Sequence, residues 1–155
     1  MGRGVKWEKG YDDPGEKWLV SSAYFRKPGP ADKIFQLHDR PAWEPELLSV
    51  RDKLVLAWHY PMFDFCEMLP HEKLIAEFGP VFSSSISWML AYALYLGYDE
   101  IALYGVDMIA DAEYGDQRDY LFYLLGVAAA RGVRVETQEY AGIHMVPVTY
   151  GVPEL

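Results

Sequence analysis

Cysteine is almost missing from this 155-residue chain: Cys66 stands alone, so no internal disulfide can form and a reducing compartment is expected. Basic residues are also few, 14 Lys and Arg against 23 Asp and Glu, for a net charge of −9. That balance argues against general binding to DNA or RNA phosphates and against an anionic membrane surface. Apolar runs are short: the longest lies within Ile86–Leu96, well under the ~20 residues that cross a bilayer. Residues 1–20 are polar and mixed, without a charged-then-apolar leader. These absences predict a cytoplasmic protein with neither a nucleic-acid duplex nor a membrane as partner. Zinc-ligand spacing, a P-loop, GxSxG and GxGxxG are missing too, which removes the commonest short signatures of metal, nucleotide and serine-hydrolase chemistry.

The chain does hold enough apolar residues, 51%, to exclude disorder, and its length suits one domain. Aromatic residues reach 15%; they fill a core or stack on a ligand's rings, and composition does not decide between the two.

The most informative stretch runs from Phe82 to Asp107. Ser83, Ser84, Ser85 and Ser87 precede and open an uncharged run, Ile86–Leu96, that ends at Gly97. A serine oxygen can accept a free backbone N–H at a helix start, and glycine takes a left-handed stop cheaply. The spacing predicts a helix buried on most sides. After it, Glu100–Val106 reads as a buried parallel strand whose end, at Gly105 and Asp107, opens onto a crevice.

Elsewhere, residues 1–16 read as a loosely ordered lead-in. Lys17–Phe25, Asp32–Leu37 and Lys53–Trp58 read as strands, with Pro28-Gly29-Pro30 closing the first. A short helix is expected over Glu46–Asp52, and residues 61–80 read as irregular with one turn of helix near His71–Phe78. An acidic loop, Asp107–Asp116, leads to a helix over Gln117–Arg131 with apolar residues at helical spacing, Leu121, Leu124, Leu125 and Ala128. Val133–Thr137 is the last strand and the tail from 138 is irregular. Alternating strands and helices predict an α/β fold: a single Rossmann-like domain, mostly parallel sheet flanked by helices.

At SSISWMLAYALYLGYDEIALYGVDM the chain resembles a family of Rossmann-like transferases. The family includes bacterial sialyltransferases that use a CMP-sugar and hydroxymethylpterin pyrophosphokinase-like proteins of bacteria and phages. The residues that carry the likeness are Ser83–Ser85, Leu96-Gly97-Tyr98, Glu100-Ile101, Leu103, Gly105 and Asp107. EYGDQRDYLFYLLGVAAARGVRV and FQLHDRPAWE look like the phage-type members, so the likeness covers roughly residues 17–137. It implies a nucleotide or nucleotide-sugar ligand and transfer of a glycosyl or diphosphate group. Ser83, Ser84, Ser85, Gly105, Tyr114 and Arg118 would then face phosphate or nucleotide. Two departures favour an alternative, a non-catalytic nucleotide-binding or interaction module on the same fold. The chain has no GNGPS-like turn before its first strand, and no histidine lies between His71 and His144.

The residues themselves leave bland alternatives beside each role. The serines could hold a phosphate on a helix N-terminus or simply cap the helix. Asp107 and Glu113 could hold Mg²⁺ or Mn²⁺ through carboxylate oxygens, or belong to a solvated acidic loop with Asp116 capping the next helix. Arg118 could pair with a phosphate or with Asp107 or Glu113. His38, Asp39 and Asp107 are the catalytic candidates, His38 as base; a strand-end turn is the ordinary reading of His38-Asp39, as of His59. A homo-oligomer built on tyrosine-rich surface is compatible with every one of these readings.

Overall fold

In a computed structural model the described residues are 7–38, 44–57, 66–106, 111–138 and 143, with the backbone alone for 7–9, 44 and 111–116. The fold is mixed α/β. Strands β1 (Trp18–Val20), β2 (Lys33–Gln36), β3 (Leu54–Leu56) and β4 (Glu67–Met68) form one parallel sheet in that spatial order. The register sets Leu19 beside Ile34 and Ile34 beside Leu54. Strands β5 (Glu100–Leu103) and β6 (Arg134–Thr137) form a second parallel pair.

Alternation along β2 and β3 sorts the core into two faces. Ile34, Leu54 and Leu56 meet Leu19 and Leu47, with Tyr24 and Phe25 packed against them. Tyr24 and Phe25 lie on α1 (Ser21–Arg26) and Leu47 on α2 (Glu44–Leu48). On the other face Phe35 and Val55 join Leu74 and Phe78 of α3 (His71–Phe78) and Leu90 and Leu94 of α4 (Ser85–Leu96). Leu121, Leu124, Leu125 and Ala128 of α5 (Asp111–Ala130) complete that cluster. A sheet covered on both faces explains why LVL in β3 has no polar position. Among the described residues no helix is long and apolar enough to cross a membrane.

Both ends of α4 follow from its sequence. The Ser84 hydroxyl oxygen accepts the Ser87 N–H at 3.2 Å, and Ser87 Oγ accepts the Ser84 N–H at 3.1 Å, a reciprocal capping box. At the other end Gly97 is left-handed (φ 85°), its N–H donates to Leu94 O and the Tyr98 N–H donates to Ala93 O, each at 3.2 Å. Those two bonds are the Schellman arrangement that glycine permits.

Four sequence expectations are corrected. Lys17–Phe25 is not one strand: β1 ends at Val20 and the chain turns into α1. Parallel pairing with β2 requires a crossover of a dozen or more residues, and a strand reaching Phe25 would leave too few. The acidic loop is largely helix, because α5 begins at Asp111 rather than Gln117; carboxylates in a first turn favour the helix dipole, and Asp116 is interior, not a cap. Strand β5 is not buried on both faces: exposed Glu100 and Ala102 alternate with half-buried Ile101 and Leu103. Finally, the lead-in is built in from Trp7: a 3-10 helix spans Trp7–Asp12, and the Tyr11 hydroxyl donates to Lys27 O at 2.8 Å.

Candidate functional site

The α4 N-terminus lies at the carboxyl edge of the four-stranded sheet. The contact that fixes it there joins Ser85, at the first helical position, to His38, two residues beyond β2. Ser85 Oγ and His38 Nε2 are 3.2 Å apart. Of the other serines, Ser84 and Ser87 bond each other in the cap, and Ser83 is exposed. The expectation that the serines act as one phosphate cluster therefore narrows to Ser83 and Ser85, together with the first-turn N–H groups that lack intrahelical acceptors.

Beneath His38 is a polar group that sequence reasoning missed. Gln36, at the end of β2 after the apolar Ile34 and Phe35, is only 1% exposed. Its Oε1 accepts the Ser21 hydroxyl, itself buried, and its Nε2 donates to His38 O. A buried amide without partners would cost about 1–3 kcal/mol, so this relay ties the start of α1, β2 and the His38 backbone together. The available signal was the glutamine itself, a polar residue at the end of a strand.

Next to this edge the two sheets part. Among the described residues β1 pairs only with β2, and β5 only with β6, with a cleft of about 610 Å³ between β1 and β5. Val20 and Leu19 line one wall, Leu103 and Tyr104 the other, and Ile86 and Met89 of α4 close one side. Trp18 stacks obliquely on Phe35 (5.1 Å between centroids) and meets Tyr98 edge-on at 5.5 Å. Part of the high aromatic content thus lines a cavity, while Phe35 and Tyr92 are core.

The cleft is acidic where the lead-in crosses it. Asp13, Glu16, Glu100 and Glu136 lie along it, with Lys17 the one cation among its described lining residues. The Lys17 ammonium donates to the Asp13 and Gly15 carbonyls. Tyr98 donates to Glu16, and Tyr104 to Asp13 at 3.3 Å. Burial, then the bond to Glu16 and its charge, pushes the Tyr98 phenol up to about 12. Burial and Asp13 raise Tyr104 likewise. Both phenols are protonated donors at neutral pH.

Gly105 closes the far end of β5 with φ 74°, a left-handed conformation that disfavours a side chain, and its N–H donates to Gln138 Oε1 at 3.2 Å. Arg118 is exposed on α5. Asp39, His59 and Asp107, and the side chains of Glu113 and Tyr114, lie outside the described residues. Among those described, no group of three His, Cys, Asp or Glu side chains is placed to hold a metal ion. A hollow of about 390 Å³ between α5 and β6 brings only one ionisable group, Glu136, and none of the expected site residues. Compared with known proteins, the chain matches no family model, no curated protein and no solved structure.

Proposed function

We propose that this protein binds a nucleotide or nucleotide-sugar at the join of its two sheets, on a Rossmann-like arrangement, and transfers a glycosyl or diphosphate group from it. The observation that carries the reading is the meeting of His38 and the α4 N-terminus beside a cleft bordered by β1 and β5. Open α/β sheets bind ligands where the strand order reverses, outside the carboxyl ends of the strands. The phosphates belong at α4, where Ser83, Ser85 and uncapped N–H groups offer donors and the helix dipole favours an anion. The nucleoside belongs in the cleft, whose aromatic and aliphatic walls suit a flat ring and whose carboxylates disfavour phosphate. His38 is the candidate base for an acceptor hydroxyl, and Arg118 and Tyr114 are the candidate phosphate partners from α5. A divalent cation enters only through Asp107 and Glu113, whose oxygen donors suit Mg²⁺ or Mn²⁺.

A second reading, binding without turnover, is favoured by the capping box, which engages Ser84 and Ser87 with the helix rather than with a ligand.

A thermal-shift panel of CMP, CDP, UDP, GDP, ATP and CMP-sialic acid, with and without Mg²⁺, tests the proposal. A nucleotide at a hundred times its dissociation constant adds about 2.7 kcal/mol of stability. The expected result is a raised midpoint with at least one nucleotide, lost in Ser85→Ala/Arg118→Ala; no shift with any of them overturns it. Consumption of the bound donor separates transfer from simple binding.

A further inference from the structure

We propose that Ser85 and His38 form a nucleophile–base pair that cleaves neutral carboxylic esters bearing an apolar acyl chain, an activity beyond the proposed nucleotide binding at the same helix start. A serine hydroxyl is a weak nucleophile until a base takes its proton, and the two groups must lie within hydrogen-bond reach. Here the Oγ–Nε2 distance is 3.2 Å, between residues 47 positions apart in sequence. Of the four serines around this helix start only Ser85 is bonded to a base among the described residues; Ser84 and Ser87 hold each other.

Both partners are fixed from behind. The capping box sets where α4 begins, and so where Ser85 stands. The buried Ser21–Gln36 relay holds the backbone of His38 through its carbonyl. Three further features suit acyl transfer. The N–H groups of Ser85 and Ile86, at the first two helical positions, have no intrahelical acceptor and lie at the positive end of the dipole. A developing oxyanion is stabilised by donors of that kind. The residue after the nucleophile, Ile86, lines the 610 Å³ cleft, and Met89, Leu90 and Ala93 continue that wall. An apolar acyl chain fits this wall, and the carboxylates Asp13 and Glu16, which form no ion pair among the described residues, disfavour an anionic substrate.

The chemistry closes on these groups. Ser85 Oγ attacks the ester carbonyl carbon while His38 accepts its proton at Nε2. The carbon–oxygen bond to the alcohol breaks, and the alcohol leaves with the proton from Nε2. Water, giving a proton to His38, then attacks the acyl carbon; the acid departs and Ser85 Oγ recovers its proton.

A fluorophosphonate probe, which forms a phosphorus–oxygen bond to an activated serine and expels fluoride, tests the pair on the intact protein without a known substrate. Peptide mass analysis should place one adduct on Ser85, and p-nitrophenyl butyrate hydrolysis should be lost with it. Ser85→Ala should abolish labelling and Ser22→Ala, at an exposed serine on α1, should leave it unchanged. His38→Gln, which keeps the serine, should slow it by about a hundredfold or more. An adduct elsewhere, no adduct, or unchanged labelling in His38→Gln overturns the proposal, provided circular dichroism shows the variants folded; Gln36→Leu, which removes the relay, should also slow labelling. A nucleotide-induced thermal shift without an adduct would overturn the esterase pair and leave nucleotide binding standing, while an adduct without a shift would do the reverse.

Discussion

The four-stranded sheet and the two-stranded pair are built from similar short strands but differ in what covers them. Leu54, Val55 and Leu56 of β3 are all buried, with helices on both faces. In β5 and β6 one face, Ile101, Leu103, Val133 and Val135, packs against the core, while Glu100, Ala102, Arg134 and Glu136 remain exposed. On that open face Arg134 pairs with Glu100 at 3.2 Å and with Glu136, contacts fully accessible to water. The difference teaches where a ligand can enter. A continuous sheet would pair β1 with β5 and leave no room, whereas among the described residues the two sheets are joined across a cleft. The α4 N-terminus and His38 sit at that join because α4 connects the two halves.

The sharpest way to break the comparison is core truncation in each half. Leu56→Ala, at a site with no exposure, should lower unfolding free energy by about 2–5 kcal/mol in a urea titration. Ile101→Ala, half-buried, should cost about 1 kcal/mol. Equal losses would show the two halves to be equally covered. Next in size is Gln36→Leu, which leaves the Ser21 hydroxyl and the His38 carbonyl without their partner; about 1–3 kcal/mol is expected, and a neutral result would remove the relay from the account. Ser84→Ala should cost about 1 kcal/mol through the lost cap, with no loss of ligand binding once the lower midpoint is allowed for.

The smallest effect concerns pH at the join. Tyr98 has its pKa raised to about 12 by burial and Glu16, so the folded state holds this proton more tightly than the unfolded chain, which releases it near 10. The stabilisation is fully present below pH ~10 and is lost as pH rises through about 12. Tyr98→Phe should therefore flatten the alkaline limb of the midpoint-versus-pH curve between those values. An unchanged limb would show that the Glu16 contact does not bind the lead-in to β5.

Much of α4 was legible because its signals are local: serine before the helix, glycine after it and an uncharged run between. The single turn expected near His71–Phe78 is a full eight-residue helix, α3. What stayed hidden depends on partners distant in sequence. SSAYF reads equally as strand or helix, and only the parallel pairing of β1 with β2 decides for helix. β4, two residues long, exists only through its pairing with β3. The apolar residues of IALYGVD mark a strand but not how many of its faces are covered. Within the site, His38 and Ser85 were each legible as candidates, one after a strand and one at a helix start. That they touch was not, since no spacing rule links residues on separate elements. Gln36 is not legible as a buried relay because a polar residue at a strand end reveals a burial problem only once its neighbours are in place.

The most direct test of a nucleotide site at the join is a two-dimensional amide spectrum of the labelled protein titrated with each nucleotide of the panel. The account predicts shifts concentrated at Ser83–Ile86, His38 and Leu103–Gly105. Shifts confined to the α5–β6 hollow, around Leu125, Ala129 and Val133, or no shift with any nucleotide, would contradict it.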